Sequence, residues 1–345
     1  MPQDFDALRT LSAEVGADPL LVQAAGGNTS LKDGAIMRIK ASGTWLMQAL
    51  EAEIFVPVDL ARLRAALANG DPDSETPHVF TAPDNASGLR PSIETTVHAL
   101  MPQRVVVHVH CVATIAWAVR ADAEAALAAP LSGLHWAFVP YARPGLPLAR
   151  AIQARIKPET DVLVLGNHGL VVAAETVADA SALLRQVQAR LQQPARAISR
   201  ADLPGLTAKL AGSPYRPAPS ARIHDLACDP LSLAVARRGT LYPDHIVFLG
   251  PGLRVVEHGA ALPADQPRML VLPGLGVALH HEANPAAQAM ALCLADVAAR
   301  IDPGTALRVL SAEEEHELTH WDAEKYRQAL ARQTPAASSA DLMRG

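Results

Sequence analysis

His108 and His110 stand two residues apart at the end of a β-branched, apolar run, Arg104-Val105-Val106-Val107-His108-Val109-His110. Side chains two apart on a strand point to the same face. Two imidazoles so placed can share one metal ion, and imidazole suits zinc and other late first-row divalent ions. His168 is the best third ligand. It ends a second apolar run, 161–165, between Gly166 and Gly169, whose small size lets backbone pack close and the histidine face inward. Three neutral histidines with one open position form the pattern of a catalytic centre rather than a closed structural one.

Glu94, in Pro91-Ser92-Ile93-Glu94, precedes this strand on a helix read over 91–101. In a first helical turn glutamate is also the ordinary choice against the helix dipole. Beside a dication it could ligate, or swing away and remove a proton from bound substrate. His98, four residues on, shares its helix face and reads as a packing or supporting residue. Upstream, Gly26-Gly27-Asn28-Thr29-Ser30 and Ser42-Gly43-Thr44 are turns whose N–H and hydroxyl groups could cradle a phosphate or carboxylate. Ser92 adds a helix N-terminus, and Lys32 or Lys40 could add charge.

The elements that position these residues follow from periodicity. A helix is read over 4–16, from Leu8, Leu11 and Val15, with strands at Leu31 and 36–40 and a helix over 59–69. The buried strand 104–110 leads into an alanine-rich helix over 111–128, and strands 161–165 and 170–173 precede a helix over 175–192. The proline-rich stretch 194–222 reads as a linker or boundary. Beyond it come strands near 246–249 and 269–279, a helix capped by Asn284-Pro285, and a capping box at Ser311 and Glu314 opening a last helix. The alternation is mixed α/β rather than doubly wound.

Composition narrows the classes. The 345 residues suit two domains, and half are apolar, so a large core can be buried. The formal charge of -5 comes from interspersed acids and bases, which leaves no basic footprint for nucleic acid. Cys111, Cys228 and Cys293 are far apart, which fits a reducing compartment. The first ten residues lack a signal-peptide pattern, and no apolar run reaches the roughly 18–20 residues of a membrane span. A soluble cytoplasmic protein without a membrane partner is expected.

Gly-Gly-Asn-Thr-Ser, Lys-Ala-Ser-Gly, Pro-Ser-x-Glu, Val-Val-His-Val-His and Gly-Asn-His-Gly-Leu, in that order over roughly residues 5–195, resemble the class II aldolase/adducin family. The resemblance implies a mixed-sheet α/β/α domain over 1–200; the residues beyond read as a smaller α/β domain over 201–332 and a disordered tail over 333–345. It implies a divalent metal on His108, His110 and His168, Zn2+ first, with Mn2+ or another divalent ion as alternatives. Glu94 falls on the family's acid/base glutamate, and Asn28, Ser42, Gly43 and Ser92 on its phosphate-binding turns. The implied reaction is aldol cleavage of a small ketose phosphate or related hydroxy-keto compound through a metal-stabilised enediolate. An oligomer, tetrameric first, with small-molecule sites at subunit contacts is implied too.

Family members that are pentulose-phosphate 4-epimerases carry aspartate at the Glu94 position, so glutamate favours aldol chemistry. Two alternatives share the fold: a metal-dependent decarboxylase of a keto acid, and a non-catalytic adducin-like interaction module, which would lack the histidines. The interval from Glu94 to His108 is shorter than in the small sugar-phosphate aldolases. Among Tyr141, Tyr215, Tyr242 and Tyr326 there is no clear counterpart of the tyrosine some members supply from a neighbouring subunit. The region after residue 200, with Asp244-His-Ile-Val-Phe-Leu-Gly-Pro251 and Pro273-Gly-Leu-Gly276, is similar to the one that follows the aldolase in bifunctional rhamnulose-1-phosphate aldolase/alcohol dehydrogenase proteins. It has no Gly-x-Gly-x-x-Gly in a Rossmann context, so no nicotinamide is expected.

His316-Glu317-Leu318-Thr319-His320 matches the zinc-protease signature H-E-x-x-H. It lies in a charge-rich segment that reads as a solvated helix. Downstream, only Asp322, Glu324 and Asp341 could supply an acidic third ligand.

Overall fold

A computed structural model describes residues 2–302 and 304–320. The tail expected to be disordered, and Tyr326, lie outside the described residues. The chain divides into two compact units, 1–118 with 122–192, and 119–121 with 193–345.

The first unit contains α1 (Pro2–Ala17), β1 (Asn28–Asp33), β2 (Ile36–Lys40), β3 (Phe55–Asp59), α2 (Leu60–Asn69), α3 (Thr95–Leu100), β4 (Val105–Val109), α4 (Val112–Ala118), α5 (Ala123–Leu127), β5 (Trp136–Val139), α6 (Leu146–Gln153), β6 (Val162–Leu165), β7 (Gly169–Ala174) and α7 (Val177–Leu191). The seven strands form one sheet in the order β3-β2-β1-β4-β7-β6-β5, antiparallel throughout except for the parallel pair β5–β6. The fold is mixed α/β.

Strand alternation sorts the core into two faces. Val105, Val107 and Val109 pack with Leu8, Leu11, Leu184 and Val187, from α1 and α7. Val106 packs on the opposite face with Val97, Leu148 and Ile152, from α3 and α6. Helices thus cover both faces of β4, which explains its unbroken apolar run. Leu8 is fully buried, and truncating it to alanine costs about 2–5 kcal/mol. Elsewhere, Asp59 caps α2 by accepting from Arg62 N, and Gly70 ends it in a left-handed conformation.

Two readings change here. The helix expected over 91–101 begins only at Thr95, because Pro91 bridges Ala41 and Ser92 N–H donates to Lys40 O. Glu94 is therefore its N-cap rather than part of its first turn. The helix expected over 111–128 breaks into α4 and α5, since 119–121 leave to pair with 306–308 in the second unit.

The second unit holds α8 (Leu203–Lys209), β8 (Tyr215–Pro217), α9 (Asp225–Cys228), α10 (Pro230–Ala236), α11 (Pro243–Leu249), β9 (Met269–Leu272), β10 (Gly276–His280), α12 (Pro285–Ala298) and α13 (Ala312–His320). Its three-stranded sheet runs β8-β10-β9, antiparallel. The proline-rich stretch is built into this unit: Arg196 binds Asp229, Ser232 and the carbonyls of Ala298 and Ile301. The strand expected at 246–249 is helical, with Pro243 at its first turn and Gly250 closing it. Asn284 and the Ser311/Glu314 pair cap their helices as read. No helix among the described residues is long and apolar enough to cross a membrane.

Candidate metal centre

His108 lies on β4 opposite Asn28 of β1, and His110 follows the strand's last residue. His168 sits in the turn between β6 and β7, where Asn167 takes φ of 53° and Leu165 pairs with Gly169. Two glycines allow this crowding. A Cβ on Gly169 would stand 2.4 Å from Val109 O, and one on Gly27, at φ +59°, 2.8 Å from His108 O. They bring the β6–β7 turn and the 24–28 turn against the end of β4.

The three imidazoles form a triangle with ring centroids 4.9, 5.0 and 5.1 Å apart. His108 Nε2 and His110 Nε2 are 3.1 Å apart. Glu94 closes the group: Oε2 is 3.3 Å from His108 Nε2, and Oε1 is 3.3 Å from His168 Nε2. His108 Nδ1 donates to Leu170 O at 3.0 Å, which leaves its Nε2 lone pair facing the centre. All four side chains are buried, and one potential ligand atom from each lies within 4.8 Å of every other.

These residues fit a divalent ion. Ligand atoms about 2.0–2.2 Å from one ion, at tetrahedral to octahedral angles, stand roughly 3.0–3.5 Å apart. The edges of 3.1, 3.3 and 3.3 Å lie in that range. Burial pushes the Glu94 carboxyl up, but His108, His168, His110 and the Asn28 amide pull it down to about 2. The carboxylate is therefore ionised.

The upstream turns reach the same place. Asn28 Nδ2 donates to Glu94 Oε2 at 2.9 Å and to Ser92 Oγ at 3.1 Å. Ser92 Oγ also accepts from Glu94 N, and Ser42 N–H donates to Arg90 O. Ser42 and Gly43 lie just beyond the β2 end that pairs with 90–92. The N–H groups of Ser42 and Ser92 are thus engaged by backbone carbonyls.

The lysines do something other than supply loose charge. Lys40 is buried and donates to the carbonyls of Ala25, Ala41 and Thr44, tying the two turns together. Lys32 donates to Met101 O and Gln103 O, beyond α3. His98 is fully buried, and both its ring nitrogens are bonded, Nδ1 to Ser30 Oγ and Nε2 to Asn28 Oδ1. The i,i+4 spacing from Glu94 was the signal for it.

The H-E-x-x-H segment lies on α13, where the exposed imidazoles of His316 and His320 stack at 3.9 Å. Among the described residues, the one group of side chains placed to hold an ion is Glu94, His108, His110 and His168.

Residues 11–193 match the family described as Class II Aldolase and Adducin N-terminal domain. Over 189 residues the chain is 30% identical to a Bacillus subtilis (strain 168) protein named Uncharacterized oxidoreductase YuxG; the match is 51% of this chain and 27% of that protein. It thus spans about a quarter of that relative's length. Among solved structures, the N-terminal class II aldolase domain of a conserved Thermoplasma acidophilum protein is 27% identical, with TM-score 0.47, over 55% of this chain and 92% of that one. An L-fuculose-1-phosphate aldolase from Thermus thermophilus is 18% identical, with TM-score 0.39, over 56% of this chain and 92% of that one.

Proposed function

Because the chain belongs to the class II aldolase and adducin family, we propose that its buried centre makes it a metal-dependent carbon–carbon lyase, acting on a small ketose phosphate or related hydroxy-keto compound. The observation that carries this reading is the position of Glu94, 3.3 Å from both His108 Nε2 and His168 Nε2. Held there by the Asn28 amide, Glu94 stands where it can move a proton beside the ion. Adducin-like members, moreover, lack the histidines.

The Nε2 atoms of His108, His110 and His168 would hold the ion, with zinc the first choice. When bound it supplies Lewis-acid stabilisation of negative charge on the substrate's oxygens. Glu94 is the general base and acid. In cleavage the C4 hydroxyl loses its proton, the C3–C4 bond breaks, and its electron pair passes into the C2 carbonyl. Glu94 then returns a proton to C3, which completes the shorter ketose and frees an aldehyde. Asn28 holds Glu94 Oε2, so the carboxylate keeps one orientation through the proton transfer. Asn28, Ser42, Gly43 and Ser92 form the proposed seat of the substrate's anionic group. A homo-oligomer, tetrameric first, and a cytoplasmic location go with this proposal.

The test is a substrate screen of metal-loaded protein with ketose 1-phosphates and keto acids, following aldehyde and carbon dioxide separately. Aldehyde release is expected. Release of carbon dioxide alone would replace the reading with decarboxylation, and protein without metal by elemental analysis would overturn it. Glu94→Gln should retain metal and lose turnover; a metal-loaded, fully active variant refutes the role of Glu94.

A further inference from the structure

We infer that His98 is a positioning residue for Glu94: it fixes the Asn28 amide with its NH2 group on the carboxylate. The inference rests on the reading of Glu94 as the base. Asn28 and Ser30 share one face of β1, about 6.7 Å apart at two residues of strand. Glu94 and His98 span four residues, about 6 Å along a helix axis. The two pairs therefore face each other nearly in step, and the bonds Asn28–Glu94 and Ser30–His98 form two rungs. The bond from His98 Nε2 to Asn28 Oδ1 is the diagonal between them.

The direction of this chain is set at one end. Asn28 Nδ2 donates to Glu94 Oε2, so its carbonyl oxygen, which only accepts, faces His98. His98 then carries its proton on Nε2, and Nδ1 accepts from the Ser30 hydroxyl at 2.7 Å. Three successive donors point toward Glu94: the Ser30 hydroxyl, the His98 Nε2–H and the Asn28 amide. The opposite order would present an amide oxygen to the carboxylate. The His98 ring bonds Ser30 and Asn28 rather than Glu94 or the three histidines, and Asn28 lies directly across the sheet from His108. Its effect on chemistry therefore passes through Asn28.

The test has two arms on the full chain. In metal-free wild-type protein, long-range 1H–15N spectra, with the His98 signal assigned by its loss in His98→Gln, should show the Nε2–H tautomer. An Nδ1–H tautomer overturns the inference, whatever the variants do. In the metal-loaded enzyme, His98→Leu leaves the buried Asn28 oxygen without its donor. It should lower kcat roughly 10- to 100-fold, with KM and metal content held. His98→Gln, whose amide nitrogen can reach the position of Nε2, should restore kcat to within about threefold of wild type. Asn28→Leu combined with His98→Leu should be no slower than Asn28→Leu alone. A His98→Leu variant with wild-type kcat, or a His98→Gln variant as slow as His98→Leu, overturns it. A wild-type protein without lyase activity would sink the proposed function and leave the tautomer result to decide the geometry.

Discussion

Gly169 is where a single methyl group should disturb the whole centre. A Cβ there would stand 2.4 Å from Val109 O, 3.3 Å from Val109 C and 3.4 Å from His110 Cα. All three are backbone atoms, so no flexible side chain can move aside. Opening the carbon–oxygen contact to about 3.3 Å requires β7 to withdraw from β4 by roughly 0.9 Å. His168 precedes Gly169 and His110 follows Val109, so this movement separates two of the imidazoles. Overpacking of this kind costs about 1–3 kcal/mol. For a unit of this size that is a fall in Tm of roughly 2–12 °C. Metal affinity should drop about 10- to 100-fold, by analogy with lost support around a metal site. Gly169→Ala should be compared by thermal unfolding of the metal-free protein and by chelator competition. Gly34→Ala is the control: its φ is +58° but nothing lies within 4 Å, so it should lose about 1 kcal/mol and keep its metal affinity. If Gly169→Ala binds metal as tightly as wild type, the glycine is not what holds the histidines together.

Two further outcomes follow from other parts of the chain. His245 is fully buried in α11, with Nε2 bonded to Gly252 O, and burial lowers its pKa to about 4, against 6.5 ordinarily. The unfolded chain therefore takes up the proton first as pH falls, and the second unit should lose about 3 kcal/mol between pH 6.5 and 4; His245→Gln should flatten that acid limb in denaturant titrations. Replacing His316 and His320 together by alanine should leave bound metal unchanged by elemental analysis, because both are exposed on α13; loss of the metal would restore the protease-like motif as the site.

Some of this centre was legible because strands and glycines leave local traces. The His-x-His pair ends an apolar run whose continuity reports burial on both faces, and Val105, Val106 and Val107 do pack into two different cores. Gly169 marks close backbone approach, and the structure shows which backbone it approaches. The segment 246–249 misled because every residue from Pro243 to Leu249 is buried, so the run has no polar face to set a period. There Pro243 and Gly250 were better signals than the branched side chains between them.

What the sequence hid was direction. Lys40 stands near two turns that read as anion-binding in the sequence, and a lysine there invites a phosphate. Yet its ammonium is already spent on three carbonyls, those of Ala25, Ala41 and Thr44. Its charge shapes the turns instead of filling them. Asn28 shows the same thing from the other side. Its place in the turn motif points to substrate, but its amide is committed to Glu94, Ser92 and His98. Spacing along the chain tells which residues can meet; which way the Asn28 amide faces is decided by neighbours 64 to 70 residues away. An anion at these turns would therefore meet a frame that the buried lysine and asparagine have already fixed, and recognition would fall to the hydroxyl and N–H groups that frame leaves facing the substrate.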